Sequence, residues 1–84
     1  MSIRILLADD HQIMRDGLRA ILASEESFEI VGEAENGREA AALARTLVPD
    51  VVIMDIGMPD LNGVEATRQI KADNPKVKVI ALSM

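Results

Sequence analysis

Cysteine is absent from the 84 residues. That excludes disulfides, thiolate metal ligands and cysteine nucleophiles. Tryptophan and tyrosine are absent as well, and Phe28 is the one aromatic residue, so a core must be built from aliphatic side chains. Positive charge is scarce. Nine Lys and Arg stand against fourteen Asp and Glu, for a net charge of −5. With no basic patch and no interleaving of aromatic and basic residues, direct nucleic-acid binding by this segment is not expected. No apolar run approaches the length of a membrane span. Met1-Ser2-Ile3-Arg4 leads straight into a strand pattern, which leaves no room for a signal peptide. A cytoplasmic domain without membrane contact is the expectation.

What the chain does have is 49% apolar residues, mostly Ala, Ile, Leu, Val and Met. That composition argues for a folded globule and against disorder. The length allows one domain at most, and burial at this size is marginal.

Three apolar runs each end in an oxygen-bearing side chain. Ile5-Leu6-Leu7-Ala8 runs into Asp9-Asp10, Val51-Val52-Ile53-Met54 into Asp55, and Val79-Ile80-Ala81-Leu82 into Ser83. Between them lie helical patterns. Met14, Leu18, Ile21 and Leu22 share one face of a first helix, with Arg15, Asp16 and Arg19 pointing away. Asp9 or Asp10 is placed to cap it. Phe28 to Ala34 reads as a second strand. Asn36-Gly37-Arg38-Glu39 opens a second helix in the manner of a capping box, Ala40, Leu43, Ala44 and Leu47 form its buried stripe, and Pro49 stops it. Val51 to Asp55 is the third strand. After a loop from Ile56 to Leu61, Asn62-Gly63-Val64-Glu65 repeats the cap pattern and starts a third helix that ends at Asn74-Pro75. Val77 to Leu82 is the fourth strand. The order β-α-β-α-β-α-β with short connections implies an α/β fold of parallel strands joined by right-handed crossovers. The chain stops at Met84 directly after a strand. An uncovered apolar edge there is a liability, so the domain is expected to be incomplete or completed by another chain.

In open α/β sheets, ligands bind outside the carboxyl ends of the strands. Here those ends carry Asp9, Asp10, Asp55 and Ser83. Carboxylates 4 Å apart repel by about 4 kcal/mol per pair at an effective dielectric of 20, so a cation, a shared proton or separation must relieve the cluster. Mg²⁺ suits carboxylate, carbonyl and water oxygens. An Asp carboxylate is also a nucleophile toward phosphorus, and Mg²⁺ would screen it from an anionic phosphoryl donor.

With Leu7-Ala8-Asp9-Asp10-His11, Asp55-Ile56-Gly57-Met58-Pro59, Asn62-Gly63 and Ala81-Leu82-Ser83-Met84 in this order and spacing, the whole chain resembles the receiver domain of a two-component response regulator. The Ala-Asp-Asp-His and Ala-Leu-Ser-Met segments most resemble the NarL/FixJ or LuxR-type subfamily, which carries a C-terminal helix-turn-helix output domain. The resemblance implies a flavodoxin-like (CheY-like), doubly wound parallel sheet of order 2-1-3-4, with residues 1–84 forming a receiver domain that lacks its last helix-strand-helix portion. It implies that Asp55 is the phosphoacceptor for a sensor histidine kinase. Asp10, Asp55 and the Gly57 carbonyl would ligate Mg²⁺, with Asp9 acting through water. Ser83 would be the switch hydroxyl, Pro59 would shape the adjoining loop, Gly57 would leave the acceptor ungated, and Met84 would narrow donor access. The lysine that ends the fifth strand in this family has no counterpart: Lys71, Lys76 and Lys78 belong to the opposite edge of the sheet. Phosphorylation of this fragment alone is therefore expected to be impaired, and edge-strand or homodimer association is open.

Two other functions compete with this reading. One is an interaction or oligomerisation receiver that is never phosphorylated. The other is a Mg²⁺-dependent phosphohydrolase. The haloacid-dehalogenase type usually carries Asp-x-Asp after its first strand, whereas here the two Asp residues are adjacent. Plainer roles also apply to single residues. His11 reads as a partly exposed first-turn residue, because a lone histidine suits neither Mg²⁺ nor a His-rich zinc site. Gly32 and Gly37 echo a phosphate loop but lack its Lys and Ser/Thr pair. Met14, Met54 and Met58 read as packing, and Ser83 alone is a strand-end hydroxyl.

Overall fold

The computed structural model describes residues 2–58 and 61–82. Its elements are β1 (Ile3–Ala8), α1 (Gln12–Leu22), β2 (Phe28–Ala34), α2 (Gly37–Leu47), β3 (Val51–Asp55), α3 (Gly63–Asp73) and β4 (Lys78–Leu82). The apolar run of β1 is continuous because both of its faces are covered. Ile5, Leu6, Leu7 and Ala8 are all buried, and side chains alternate between the faces of the sheet. The strands are all parallel, in the order β2-β1-β3-β4. This is the doubly wound α/β arrangement that the resemblance implies.

Register fixes what meets at the carboxyl edge. Ala8 pairs with Ala34 on one side and Met54 on the other. Asp9 therefore leaves β1 level with Asp55, and Asp55 pairs with Leu82. The β1–β2 ladder shifts by one residue between Ile5 and Leu6. Lys78 starts β4 opposite Val51, at the far edge. Beside it, Lys71 Nζ donates to the carbonyls of Pro75 (2.9 Å) and Val77 (2.7 Å).

The core lies on one face of the sheet. Leu6, Ala8, Val52 and Met54 pack there against Ala40, Ala41 and Ala44 of α2 and Ala66 and Ile70 of α3. The small alanines let both helices approach closely. The predicted α2 stripe is this face, with Leu43 and Leu47 half-buried at its margin. Helix α2 ends at Val48, which takes a left-handed conformation (φ 49°) before the buried Pro49. That backbone is strained for a β-branched residue. Arg4 braces it from β1: its guanidinium Nη1 donates to the carbonyls of Leu47 (2.7 Å) and Val48 (2.9 Å), as cations at helix C-termini do.

Among the described residues, α1 is the one helix on the opposite face, and two expectations fail there. The predicted apolar stripe of α1 is only partly covered: Met14, Leu18 and Leu22 are half-buried, while Ile21 is 69% exposed and Ile13, beside Met14, is 86% exposed. Arg15, expected to point outward, is only 4% exposed. The helix turns a polar flank toward β2, where Glu33 receives Arg15 (Nε to Oε1, 2.9 Å). Its apolar flank lines an open groove instead.

The two Asn-Gly-x-Glu segments behave as caps. Asn36 Oδ1 accepts from the Glu39 N–H (2.8 Å) and Asn62 Oδ1 from the Glu65 N–H (3.0 Å). The Glu39 side chain reaches back to the Glu35 N–H (3.0 Å), one residue earlier than a capping box requires. Each glycine serves close approach. A Cβ on Gly37 would lie 1.6 Å from the Leu61 carbonyl oxygen, and one on Gly63 would lie 2.4 Å from Ile56 Cα. Gly37→Ala is expected to cost about 3 kcal/mol or more, in the range of severe backbone clashes. A Cβ on Gly17, inside α1, would meet nothing within 4 Å, so Gly17→Ala should instead stabilise by about 0.5–1 kcal/mol. Urea unfolding of the two variants checks both signs.

Candidate phosphoacceptor and metal site

The site is assembled at the sheet's carboxyl edge by the β1–α1 turn and the end of β3. One ligand atom each from Asp9, Asp10, His11 and Asp55 lies within 4.8 Å of the others. Asp9 and Asp55 are buried, at 3% and 8% exposure, while Asp10 and His11 are open to solvent. The sequence-predicted carboxylates are thus brought together, at separations where repulsion must be compensated.

Hydrogen bonds supply part of that compensation. Asp9 Oδ1 accepts from the His11 N–H at 2.8 Å. The Asp9 N–H donates to the Ala34 carbonyl at 3.0 Å, which ties the turn to the end of β2. Asp55 Oδ1 accepts from the Gly57 N–H at 3.0 Å. Beneath it, the Ile56 N–H donates to the Leu82 carbonyl (3.3 Å), and the Gly63 N–H donates to the Ile56 carbonyl (3.2 Å). Both neighbouring elements therefore hold the segment that carries Asp55.

Neither Asp9 nor Asp10 caps α1, contrary to the sequence expectation. The cap position is His11, which makes no side-chain capping bond. Asp9 closes a local turn on the His11 N–H instead. The His11 ring was expected to be a plain first-turn side chain, yet it leans over the cluster. Its Nδ1 lies 3.0 Å from both Asp9 Oδ1 and Asp10 Oδ1. The hydrogen bond to Asp9, then the charge on Asp10, raise its pKa above the usual 6.5. A protonated His11 is thus a built-in counter-ion. The adjacency of His11 to Asp9-Asp10 was the available signal in the sequence.

Arg15 is the second residue that periodicity missed. Its Nη1 donates to the Asp9 carbonyl (2.5 Å), its Nε to Glu33 Oε1 (2.9 Å) and its Nη2 to Gln12 Oε1 (2.6 Å). Arg19 pairs with the other oxygen of Glu33. That hydrogen bond from Arg19 holds the Glu33 carboxyl below the usual 4.5 against the effect of partial burial, and Arg15 adds to it.

A groove of about 720 Å³ runs from Asp55, Ile56 and Gly57 along Met14, Leu18 and Ile21 of α1. A Cβ on Gly57 would lie 3.7 Å from Asp55 Oδ1, so glycine leaves the Asp55 carboxylate uncovered on that side. The expected roles of Pro59, Ser83 and Met84 fall outside the described residues. Among the described residues, no helix is long and apolar enough to cross a membrane.

The donor chemistry fits a hard divalent cation. Oxygen ligands converge from two strand ends, and the histidine nitrogen facing them is already engaged by carboxylates.

Comparison with known proteins agrees with this geometry. Residues 5–84 match the response regulator receiver domain family. The response regulator protein VraR of Staphylococcus aureus (strain Mu3 / ATCC 700698) is 46% identical over 83 residues, spanning 99% of this chain and 40% of VraR. The chain thus spans less than half the length of that relative. The response regulator domain of Thermotoga maritima CheB superposes with a TM-score of 0.95 at 43% identity, covering 99% of this chain and 61% of that one. A LuxR-family two-component response regulator from Aurantimonas sp. SI85-9A1 gives a TM-score of 0.93 at 36% identity, covering all of this chain and 60% of that one. The chain belongs to the response regulator receiver domains, the regulatory domains of phosphorylation-based two-component signalling.

Proposed function

We propose that this receiver domain is a switch operated by phosphorylation of Asp55, with a sensor histidine kinase as donor. One observation supports this reading above the others. Asp55 is nearly buried, has one carboxylate oxygen held by the Gly57 N–H, and lies within the cluster formed with Asp9 and Asp10. The hydrogen bond orients the carboxylate. Its second oxygen is the nucleophile: it forms a bond to phosphorus as the bond from phosphorus to the donor nitrogen breaks, leaving an aspartyl phosphate.

Asp10, Asp55 and the Gly57 carbonyl would hold Mg²⁺, with Asp9 acting through water. The bound ion supplies charge neutralisation between nucleophile and phosphoryl donor. Asp9 works mainly through its own anchors, which set the turn that presents Asp10. By the receiver resemblance, Ser83 takes the role of the switch hydroxyl and Pro59 that of the family's loop residue. In the parent protein, the reader of this switch would be a C-terminal helix-turn-helix output domain controlling transcription, with residues 1–84 as part of the receiver. The setting is the cytoplasm. The domain acts as a regulatory module and assists only its own phosphorylation and dephosphorylation.

Incubation with a small phosphodonor and Mg²⁺, followed by intact mass, tests the acceptor. The expected result is a single phosphate adduct that Asp55→Asn abolishes. Multiple turnover of a phosphoester would point to a hydrolase, and lack of any adduct would point to an interaction module. Asp10→Ala should weaken Mg²⁺ binding by about 100-fold or more, since even outer partners of metal ligands are worth about 10–100-fold; undiminished binding would refute the ligand assignment.

The His11 pKa gives a further check. Because it is raised in the folded state, the stability that His11 contributes is fully present below the usual 6.5 and is lost as pH rises through the raised value. In a proton NMR titration, Asp9→Asn should return the His11 pKa toward 6.5. Saturating Mg²⁺ should lower it too, by neutralising the carboxylates that raise it.

A further inference from the structure

Among the described residues, Arg15 forms no ion pair with a cluster carboxylate, yet its side chain is only 5% exposed. Burying a guanidinium carries a desolvation penalty that requires partners for its donors. Three hydrogen-bond partners provide for them, the Asp9 carbonyl, Glu33 on β2 and Gln12 one turn earlier, and a fourth group, Glu35 Oε1, lies 3.6 Å from Nη2 as an ion pair. The Asp9 carbonyl is the informative one. It belongs to the peptide that links Asp9 to Asp10, so fixing it fixes the peptide plane from which the Asp10 side chain departs. The other polar groups of Asp9 are engaged elsewhere, its N–H by Ala34 and its Oδ1 by His11. Arg15 secures the remaining backbone group, the carbonyl. The guanidinium is itself held from behind, because Glu33 is clamped between Arg15 and Arg19.

We infer that Arg15 is a positioning residue for the metal site: its guanidinium holds the Asp9–Asp10 peptide in the orientation that turns the Asp10 carboxylate toward Asp55. The inference rests on the Mg²⁺ reading above. It makes the geometry of the ligands depend on a hydrogen bond from α1 to the Asp9 carbonyl, with the salt bridge to β2 contributing to stability. A methionine at this position preserves length and packing and removes the donors. A lysine preserves charge but offers one ammonium where the guanidinium offers a fork.

The experiment is a Mg²⁺ titration of the intact chain, followed by backbone amide shifts at Asp9, Asp10 and Gly57, with unfolding measured in parallel. Arg15→Met is expected to weaken Mg²⁺ binding by about 10–100-fold, the usual cost of removing an outer partner of a metal ligand. Arg15→Lys is expected to recover part of that loss. The control is Glu33→Gln, which breaks the ion pair and lowers stability but leaves the bond to the Asp9 carbonyl. Its Mg²⁺ affinity should stay within about threefold of wild type, well under the 10–100-fold range. Equal weakening in Glu33→Gln and Arg15→Met would mean general loosening and would overturn the inference. So would wild-type affinity in folded Arg15→Met.

If Arg15→Met does not fold, the wild type decides. The Nε–H resonance of Arg15 should shift on Mg²⁺ addition along the same saturation curve as the Asp10 amide; a resonance that stays fixed at saturation would overturn the inference. A wild type that binds no Mg²⁺ at all would sink the metal reading itself. Binding in the wild type that survives in Arg15→Met would sink the positioning role alone.

Discussion

Electrostatic repulsion among carboxylates held within 4.8 Å of one another is the constraint to which the surrounding structure answers. Left uncompensated, it would drive the β1–α1 turn away from the end of β3. The turn is pinned instead on every side. Asp9 is tied to β2 by its N–H and to Arg15 by its carbonyl. His11 spans Asp9 and Asp10. Asp55 is held by its own loop through Gly57. A cluster fixed in this way stays close together, which is the arrangement that a divalent cation or a phosphoryl group with its counter-ions can use.

The scaffold beneath is ordinary parallel-sheet physics. Pairing of Ala8 with Met54 sets Asp9 and Asp55 level, so a slip of one residue in register would place the carboxylates at different heights and on opposite faces. Register is enforced by the aliphatic core of β1 and β3 against α2 and α3. Its alanines and the glycines at the two helix starts allow an approach that larger side chains would block. The clustered carboxylates are thus placed by contacts made between the sheet and α2 and α3.

Much of this was legible in the sequence, because strands covered on both faces write themselves as unbroken apolar runs and the Asn-Gly-x-Glu caps carry their mechanism in four letters. Helix α1 was not legible. Its apolar periodicity pointed Met14, Leu18 and Ile21 at the sheet and Arg15 at water, whereas Arg15 is buried and Ile21 exposed. Periodicity counts apolar residues and is blind to a cation whose partner, Glu33, lies on another strand. The lone pairs of Glu33 and of the Asp9 carbonyl decide how α1 sits, and neither registers in a hydrophobic pattern. The acidic site itself was readable as a gathering of strand ends. Its His11 lid and its Arg15 anchor required coordinates.

The unequal cover of the two sheet faces bears on motion as well as on packing. Protection against local opening follows the density of buried apolar contacts. The α2–α3 face, with its closed aliphatic core, is the slow half of the molecule. Helix α1, held by polar ties and bordered by an open groove, is the fast half. Asp9 and Asp10 lie on the seam: their strand belongs to the slow half, and the helix that follows belongs to the fast one. On the proposed reading, a charge arriving at Asp55 would act where the two parts of the fold meet, so small changes in the turn would have a soft element to move against.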